Sequence, residues 1–304
     1  MIFTSRPTII GHRGSGSGSV PVSGVPATGR LAGAALRTGS VTDGMTDAGL
    51  AAAGNGAMNG PVKGAVDGQV VVENTVDSML TAVRAGISWV EIDVQRTADD
   101  ELVLRHDPVT AGGDFVVEQT ADACGLPRLR DVFEALPTTV AVDVDIKTIL
   151  EDAVDAPARR TGALLLPVLA AEARRRPLLL TSFDPAVLLH LKENLPGVPL
   201  GLLTWLGFPM WHGLAAAAGL GLQAVGLHTG SFRFTQAGTE SGTDPATTAR
   251  PRRHRPVEHS VEVAHRAGLE VLAWCPKPED APAYARAGVD ALVIDDVPGT
   301  LAVL

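Results

Sequence analysis

The chain has 304 residues, 45% of them hydrophobic and 19% charged, with a formal net charge of −9. That composition can bury a large core and excludes an intrinsically disordered chain, while the acid excess excludes general affinity for nucleic acid, which needs clustered Lys and Arg. The length suits one large α/β barrel or two ordinary domains.

In chain order, TIIGH (8–12) reads as the first strand. Residues Ser15 to Val71 are dominated by Gly, Ala, Ser and Val and contain no aromatic residue. Such a stretch cannot bury much, and is expected to be a long flexible insertion, 15–71, with one short helix near Leu31 to Leu36. Asn74-Thr75 then caps a helix that ends at Gly86. Strands follow at WVEIDV (89–94), LVLRH (102–106), VAVDVDI (140–146) and LLLTSF (178–183). Asp184-Pro185 opens the next helix with a capping side chain and a proline at the first helical position. PLGLLT (199–204) and QAVGLHT (223–229) are further strands. The stretch from Phe234 to Pro256 reads as a surface loop, its basic ARPRRHRP cluster around Arg250 to Arg255 expected to be solvated, with contact to an anionic substrate or membrane as the alternative. Helices ending at Gly268 and Gly288 precede the strands VLAWC (271–275) and ALVID (291–295).

Short, continuous apolar runs suit parallel strands covered on both faces, and the strand–helix–glycine–strand order calls for a parallel sheet. Nine runs are one too many for an eightfold barrel. Only a handful of residues around Thr97 to Asp100 separate WVEIDV from LVLRH, whereas a parallel crossover needs roughly a dozen or more. Those two must form an antiparallel hairpin, which leaves eight parallel strands. The expected fold is a (β/α)8 TIM barrel, one domain over 1–304, with a β-hairpin extension after strand 2 and the long insertion after strand 1. A doubly wound open sheet is the runner-up.

No run approaches about 18 uninterrupted apolar residues, so no transmembrane segment is expected. The beginning, MIFTSRPTIIGHRG, lacks the apolar run of a signal peptide. Cys124 and Cys275 make neither a disulfide framework nor a metal motif, and two unpaired thiols fit a reducing compartment. The expected location is cytoplasmic; the oligomeric state is not legible.

Residues two apart in a strand face the same way, so Glu91 and Asp93 project together while Val90, Ile92 and Val94 pack on the other side. Two carboxylates side by side repel unless a cation or strong donors lie between them, and such oxygen pairs suit Ca²⁺ or Mg²⁺. The alternative is a solvated strand end that binds nothing. A hairpin turn centred near Ala98-Asp99 would pair positions summing to about 197 and place His106 opposite Glu91. His12 and Arg13 end the first strand; Asp143, Asp145 and Lys147 share one face of another. Burial of so many charges at barrel strand ends is costly without a shared ligand.

The segments IIGHRG, VENT (72–75), VEIDVQRTADDELVLRHD (90–107), DIK (145–147), TSF (181–183), GLEVLAWC (268–275) and AGVDALVIDD (287–296) resemble, in order, the glycerophosphodiester phosphodiesterase family. The resemblance implies a (β/α)8 barrel and metal-dependent hydrolysis of small-molecule glycerophosphodiesters to glycerol 3-phosphate and an alcohol. It implies that His12 and His106 are the acid/base pair, and that Glu91, Asp93 and Asp145 hold one divalent cation, Ca²⁺ or Mg²⁺. Arg13 and Lys147 would grip the phosphate, Glu73 would be a polar site residue, and Trp274 would line the pocket.

Three positions depart from the family pattern. Asp145 stands where glutamate is usual, leaving Asp143 as an alternative third ligand; Val72 replaces a common proline; and the 15–71 insertion separates HRG from ENT. Following the first strand, that insertion would rise from the catalytic face, as a lid or as a bypass. The rival readings are a sphingomyelinase D-like or lysophospholipase D-like lipid phosphodiesterase on the same barrel, and a non-catalytic barrel that binds phosphorylated ligands.

Overall fold

A computed structural model describes residues 1–16, 18–19, 70–232 and 255–304. The helix expected near Leu31 to Leu36 and nearly all of the 234–256 loop lie outside these residues. The chain divides into two units, Met1–Gly18 with Val71–Leu304, and Ser19–Val70.

The strands of the first unit are β1 (Thr8–Gly11), β2 (Trp89–Arg96), β3 (Leu102–Leu104), β4 (Ala141–Ile146), β5 (Leu178–Ser182), β6 (Leu200–Leu203), β7 (Ala224–His228), β8 (Glu270–Trp274) and β9 (Ala291–Ile294). Hydrogen bonding runs β1–β9–β8–β7–β6–β5–β4–β2, and β2 returns to β1, so eight parallel strands close into a barrel. The extra strand β3 pairs antiparallel with β2. The eightfold barrel and its hairpin are therefore as expected.

The hairpin register is not. Val94 pairs with Leu104 and Arg96 with Leu102, so paired numbers sum to 198, one more than expected. The turn is centred on Asp99: Thr97 N donates to Glu101 O at 2.9 Å, and Asp100 takes a left-handed φ of 62°. The strand also stops at Leu104, so His106 is not laddered opposite Glu91. The Gln95 amide donates to the carbonyls of Arg105, His106 and Asp107, at 2.8, 3.1 and 2.7 Å, and draws the chain out of the strand.

Two apolar cores follow from strand alternation. Val90, Ile92 and Val94 face outward with Val142, Val144 and Ile146, and pack under the surrounding helices. The inward residues Ile10, Trp89, Ala141, Leu179, Leu272 and Ala291 floor the lumen. Phe3, fully buried, plugs it from below with its ring 5.2 Å from that of Trp89. The backbone N–H groups of Ile2 and Phe3 donate to the buried Glu270 carboxylate, which fixes the plug.

Helix α1 (Val76–Arg84) is capped by Thr75, whose hydroxyl accepts from Ser78 N at 3.2 Å. Gly86, just past its end, takes φ 103°, a conformation that favours glycine. Among the described residues no helix is long and apolar enough to cross a membrane.

Candidate active site

Above the apolar floor the inward positions become acidic. Glu91 pairs in register with Asp143, and Asp93 with Asp145, two layers rising toward the C-terminal mouth. All four residues are buried, at most 5% exposed. Oxygens of Glu91, Asp93 and Asp145 lie within 4.8 Å of one another. Asp143 stays out of that group: it accepts from Thr181 Oγ1 at 2.8 Å.

Cationic and amide donors converge on this floor. Lys147 Nζ is 2.9 Å from Asp93 Oδ1 and also contacts Asp145. Arg13 Nε lies 3.1 Å from Asp93 Oδ2, and its Nη1 donates to Glu73 at 2.8 Å. Arg13 N donates to Glu91 at 2.8 Å. Arg13 takes a left-handed φ of 51°, which breaks strand alternation just past β1. Gly14 follows with φ 90°, and a Cβ there would sit 2.3 Å from Ser78 Oγ, so the HRG turn packs directly on the start of α1.

Asn74, read from sequence as part of a helix cap, does other work. Its amide nitrogen donates to Asp93 Oδ2 at 2.8 Å and its oxygen accepts from Asp93 N at 3.1 Å. Its φ of 56° lies where Asn is better tolerated than most residues.

These contacts separate the four carboxyls. Burial would raise Asp93, but Lys147 and Arg13 hold it well below the ordinary carboxylate range. Burial raises Glu91, with Asp93 adding repulsion. Burial pushes Asp143 up to about 8 despite the Thr181 hydrogen bond. Asp145 is raised by burial, with Lys147 opposing. The carboxyl surplus fits a hard divalent cation, as does the all-oxygen donor set of Glu91, Asp93 and Asp145. Asp145 Oδ1 also fits: among the described residues it is buried without a hydrogen-bond partner.

Both sequence-predicted histidines reach the mouth. His12, one residue beyond β1, has Nδ1 2.6 Å from Asp295 Oδ1 and Nε2 4.0 Å from Glu91. Burial would lower its pKa; Asp295, the Cys275 thiol and the Glu91 charge outweigh that and leave it well above the ordinary value. His106 Nδ1 lies 2.8 Å from Asp107 Oδ1. The preceding residue, Arg105, donates its N–H to Asp93 O at 3.1 Å, and the His106 carbonyl accepts from the inward Gln95 at 3.1 Å, so the chain carries His106 past the acid cluster.

Aromatic rings line the other side of the mouth. Phe183 stacks on Trp205 at 4.6 Å and meets Trp274 edge-on at 6.1 Å. The Trp274 ring is 4.5 Å from His228, and Lys147 Nζ lies 5.4 Å from the Phe183 centroid. Sequence reasoning placed Trp274 here but missed Asn74 on Asp93, Asp107, Asp295, Gln95, His228 and Trp205. For Asp107 and Asp295 a signal was present, since each lies inside a segment that carries the family resemblance.

The model of the glycerophosphoryl diester phosphodiesterase family matches residues 57–298, a span that begins after His12 and Arg13. A glycerophosphodiester phosphodiesterase of Caldanaerobacter subterraneus subsp. tengcongensis is 24% identical over 266 residues, covering 77% of this chain and 93% of that protein. An Oleispira antarctica phosphodiesterase, solved in complex with the product sn-glycerol-3-phosphate, superposes with a TM-score of 0.63 at 19% identity, covering 98% of this chain and 96% of that one. The glycerophosphodiester phosphodiesterase of Thermotoga maritima superposes with a TM-score of 0.56 at 18% identity, covering 77% and 93%. A family match over most of the sequence, on a barrel shared with these structures, makes this chain a member of the glycerophosphoryl diester phosphodiesterase family and a phosphoric diester hydrolase.

Proposed function

We propose that the barrel mouth hydrolyses glycerophosphodiesters to sn-glycerol 3-phosphate and an alcohol. His12 and His106 form the acid/base pair, and Glu91, Asp93 and Asp145 hold one Ca²⁺ or Mg²⁺. The observation that carries this reading is the like contact made by the two imidazoles. Each has Nδ1 against a carboxylate, Asp295 or Asp107, on the rim of one acid cluster. Such a contact fixes the ring and leaves Nε2 to exchange protons.

A bound cation would stabilise negative charge on the phosphoryl oxygens. Arg13 and Lys147, already aligned by Asp93, add N–H donors for the same anion. One imidazole takes the proton of the substrate's glycerol hydroxyl as its oxygen bonds to phosphorus. The bond from phosphorus to the departing alcohol breaks, and the other imidazole protonates that oxygen. Water then opens the cyclic phosphate with the two roles exchanged. Phe183, Trp274 and His228 form the wall against which the alcohol side packs.

The test is substitution of each histidine. His12→Ala and His106→Ala should each lower turnover by at least about 10²-fold, with circular dichroism and Tm retained. Full activity in either variant refutes the assignment. A second reading, that the substrate carries an acyl chain, is favoured by Trp205, Leu206 and Trp211, which are 62%, 59% and 58% exposed beside the mouth. Comparing glycerophosphocholine with lysophosphatidylcholine and sphingomyelin decides between the two.

A further inference from the structure

Three adjacent strands, β1, β9 and β8, end side by side at the mouth, with Gly11 opposite Ile294 and Trp274 opposite Val293. Each is followed by a metal-ligating residue: His12, Asp295 and Cys275. In a regular continuation of β8, Cys275 would point away from the lumen, because Trp274 points into it. Its backbone instead takes a left-handed φ of 57°, and Sγ lies 3.9 Å from His12 Nδ1. One ligand atom from each of His12, Cys275 and Asp295 lies within 4.8 Å of the others.

We propose that His12, Cys275 and Asp295 form a second, inhibitory metal site for a thiophilic divalent cation of the Zn²⁺ type. The donor chemistry separates it from the carboxylate cluster. Glu91, Asp93 and Asp145 present only oxygen, which suits Ca²⁺ or Mg²⁺. The second group offers one nitrogen, one sulfur and one oxygen, a set that selects zinc and its soft relatives and leaves a fourth tetrahedral position open. Ligand atoms of a tetrahedral zinc lie about 3.5 Å apart, from bond lengths of about 2.0–2.3 Å. The 2.6 Å contact between His12 and Asp295 must open and the 3.9 Å contact to Cys275 must shorten. Asp295 can make that adjustment, since its side chain is 58% exposed.

Binding releases the Cys275 thiol proton and the Nδ1 proton of His12 to solvent, so that a thiolate and a nitrogen lone pair bond the metal. His12 then has Nδ1 bound to metal instead of facing Asp295, and its ring no longer cycles between neutral and protonated forms. The inhibitory consequence rests on the reading of His12 as an acid/base group; the binding site itself does not.

The experiment titrates Zn²⁺ into the full-length enzyme assayed at saturating Mg²⁺ or Ca²⁺, alongside Cd²⁺ titrations followed in the near-ultraviolet. Expected are inhibition by Zn²⁺ that excess Mg²⁺ or Ca²⁺ does not relieve, and one equivalent of a cadmium–thiolate charge-transfer band. Cys275→Ser should lose the band and tolerate at least tenfold more Zn²⁺, each variant's inhibition being read against its own zinc-free turnover. Cys275→Ala should behave alike, and guards against a fold defect in one variant. Equal zinc sensitivity in both variants, absence of the band in wild type, or relief by excess Mg²⁺ or Ca²⁺ overturns the proposal. A band that depends on both Cys275 and His12, with turnover unaffected by zinc, retains the site, overturns its inhibitory role and speaks against His12 in catalysis.

Discussion

Asn74 and Asp143 show how single side chains set the charge of the mouth. Asn74 holds Asp93 by both ends of its amide and replaces water at a carboxylate that cannot be solvated. Asn74→Ala should remove a buried hydrogen-bonded pair, at about 1–3 kcal/mol. It should also weaken divalent-cation binding about 10–100-fold, as loss of a partner that orients a ligand does. Calorimetric titration with Ca²⁺ or Mg²⁺ checks this; an unchanged affinity rejects it. Asp143 makes a different prediction. Its folded pKa of about 8 lies above the value of 3.8 for a free carboxyl. The fold therefore prefers its protonated form, and the associated stability is full below pH 4 and lost as pH rises toward 8. In chelated protein, Asp143→Asn should gain stability over wild type across that window, by up to about 1.4 kcal/mol per pH unit. Urea midpoints at pH 5 and pH 8 measure it, and parallel curves would refute it.

At the scale of elements, β2 carries most of the argument. Its first residues close the barrel against β1 and its last three pair with β3. The strands were legible because each is a short apolar run bounded by turn residues, and the hairpin was legible because five or so residues cannot make a parallel crossover. The register was not. A left-handed Asp100 moved the turn centre onto Asp99, and nothing in the residue types announces that choice. Nor does sequence alone show that Gln95, a polar residue on an inward position, spends its amide on three successive carbonyls. Likewise Glu91, Asp93 and Asp145 were found by their spacing of two and by motif, whereas the Asn74 contact to Asp93 and the Asp295 contact to His12 exist only in the closed barrel. Gln95→Ala should release the 105–107 segment. We expect faster amide exchange there, a stability loss of about 1–3 kcal/mol, and a fall in kcat larger than any rise in KM. An undisturbed exchange pattern would dismiss the tether.

At the scale of the whole molecule, the acid cluster and the proposed acid/base histidines occupy one end of the barrel and much of its anchoring the other. Phe3 fills the bottom of the lumen under Trp89, far along the strands from His12 and His106. Phe3→Ala should cost about 3–5 kcal/mol of stability, as deletion of a buried ring does. The protein that remains folded should keep near-normal kcat/KM, so thermal melts and kinetics should diverge. Chelation should do the reverse, abolishing turnover while leaving secondary structure intact, with Ca²⁺ or Mg²⁺ restoring activity; activity that survives chelator removes the cation from the scheme.

The ring of strands is not equally joined all round. Between β2 and β4 six residue pairs are in register, Trp89–Ala141 through Val94–Ile146, whereas β1 and β2 share only Ile10–Trp89 and Gly11–Val90. The cylinder thus has one thin seam, and it runs between the strand that delivers His12 and the strand that delivers Glu91 and Asp93. Where that backbone ladder is short, side chains stitch it instead: Arg13 N donates to Glu91 at 2.8 Å and Arg13 Nε lies 3.1 Å from Asp93, so the same contacts that order the acid cluster also close the cylinder.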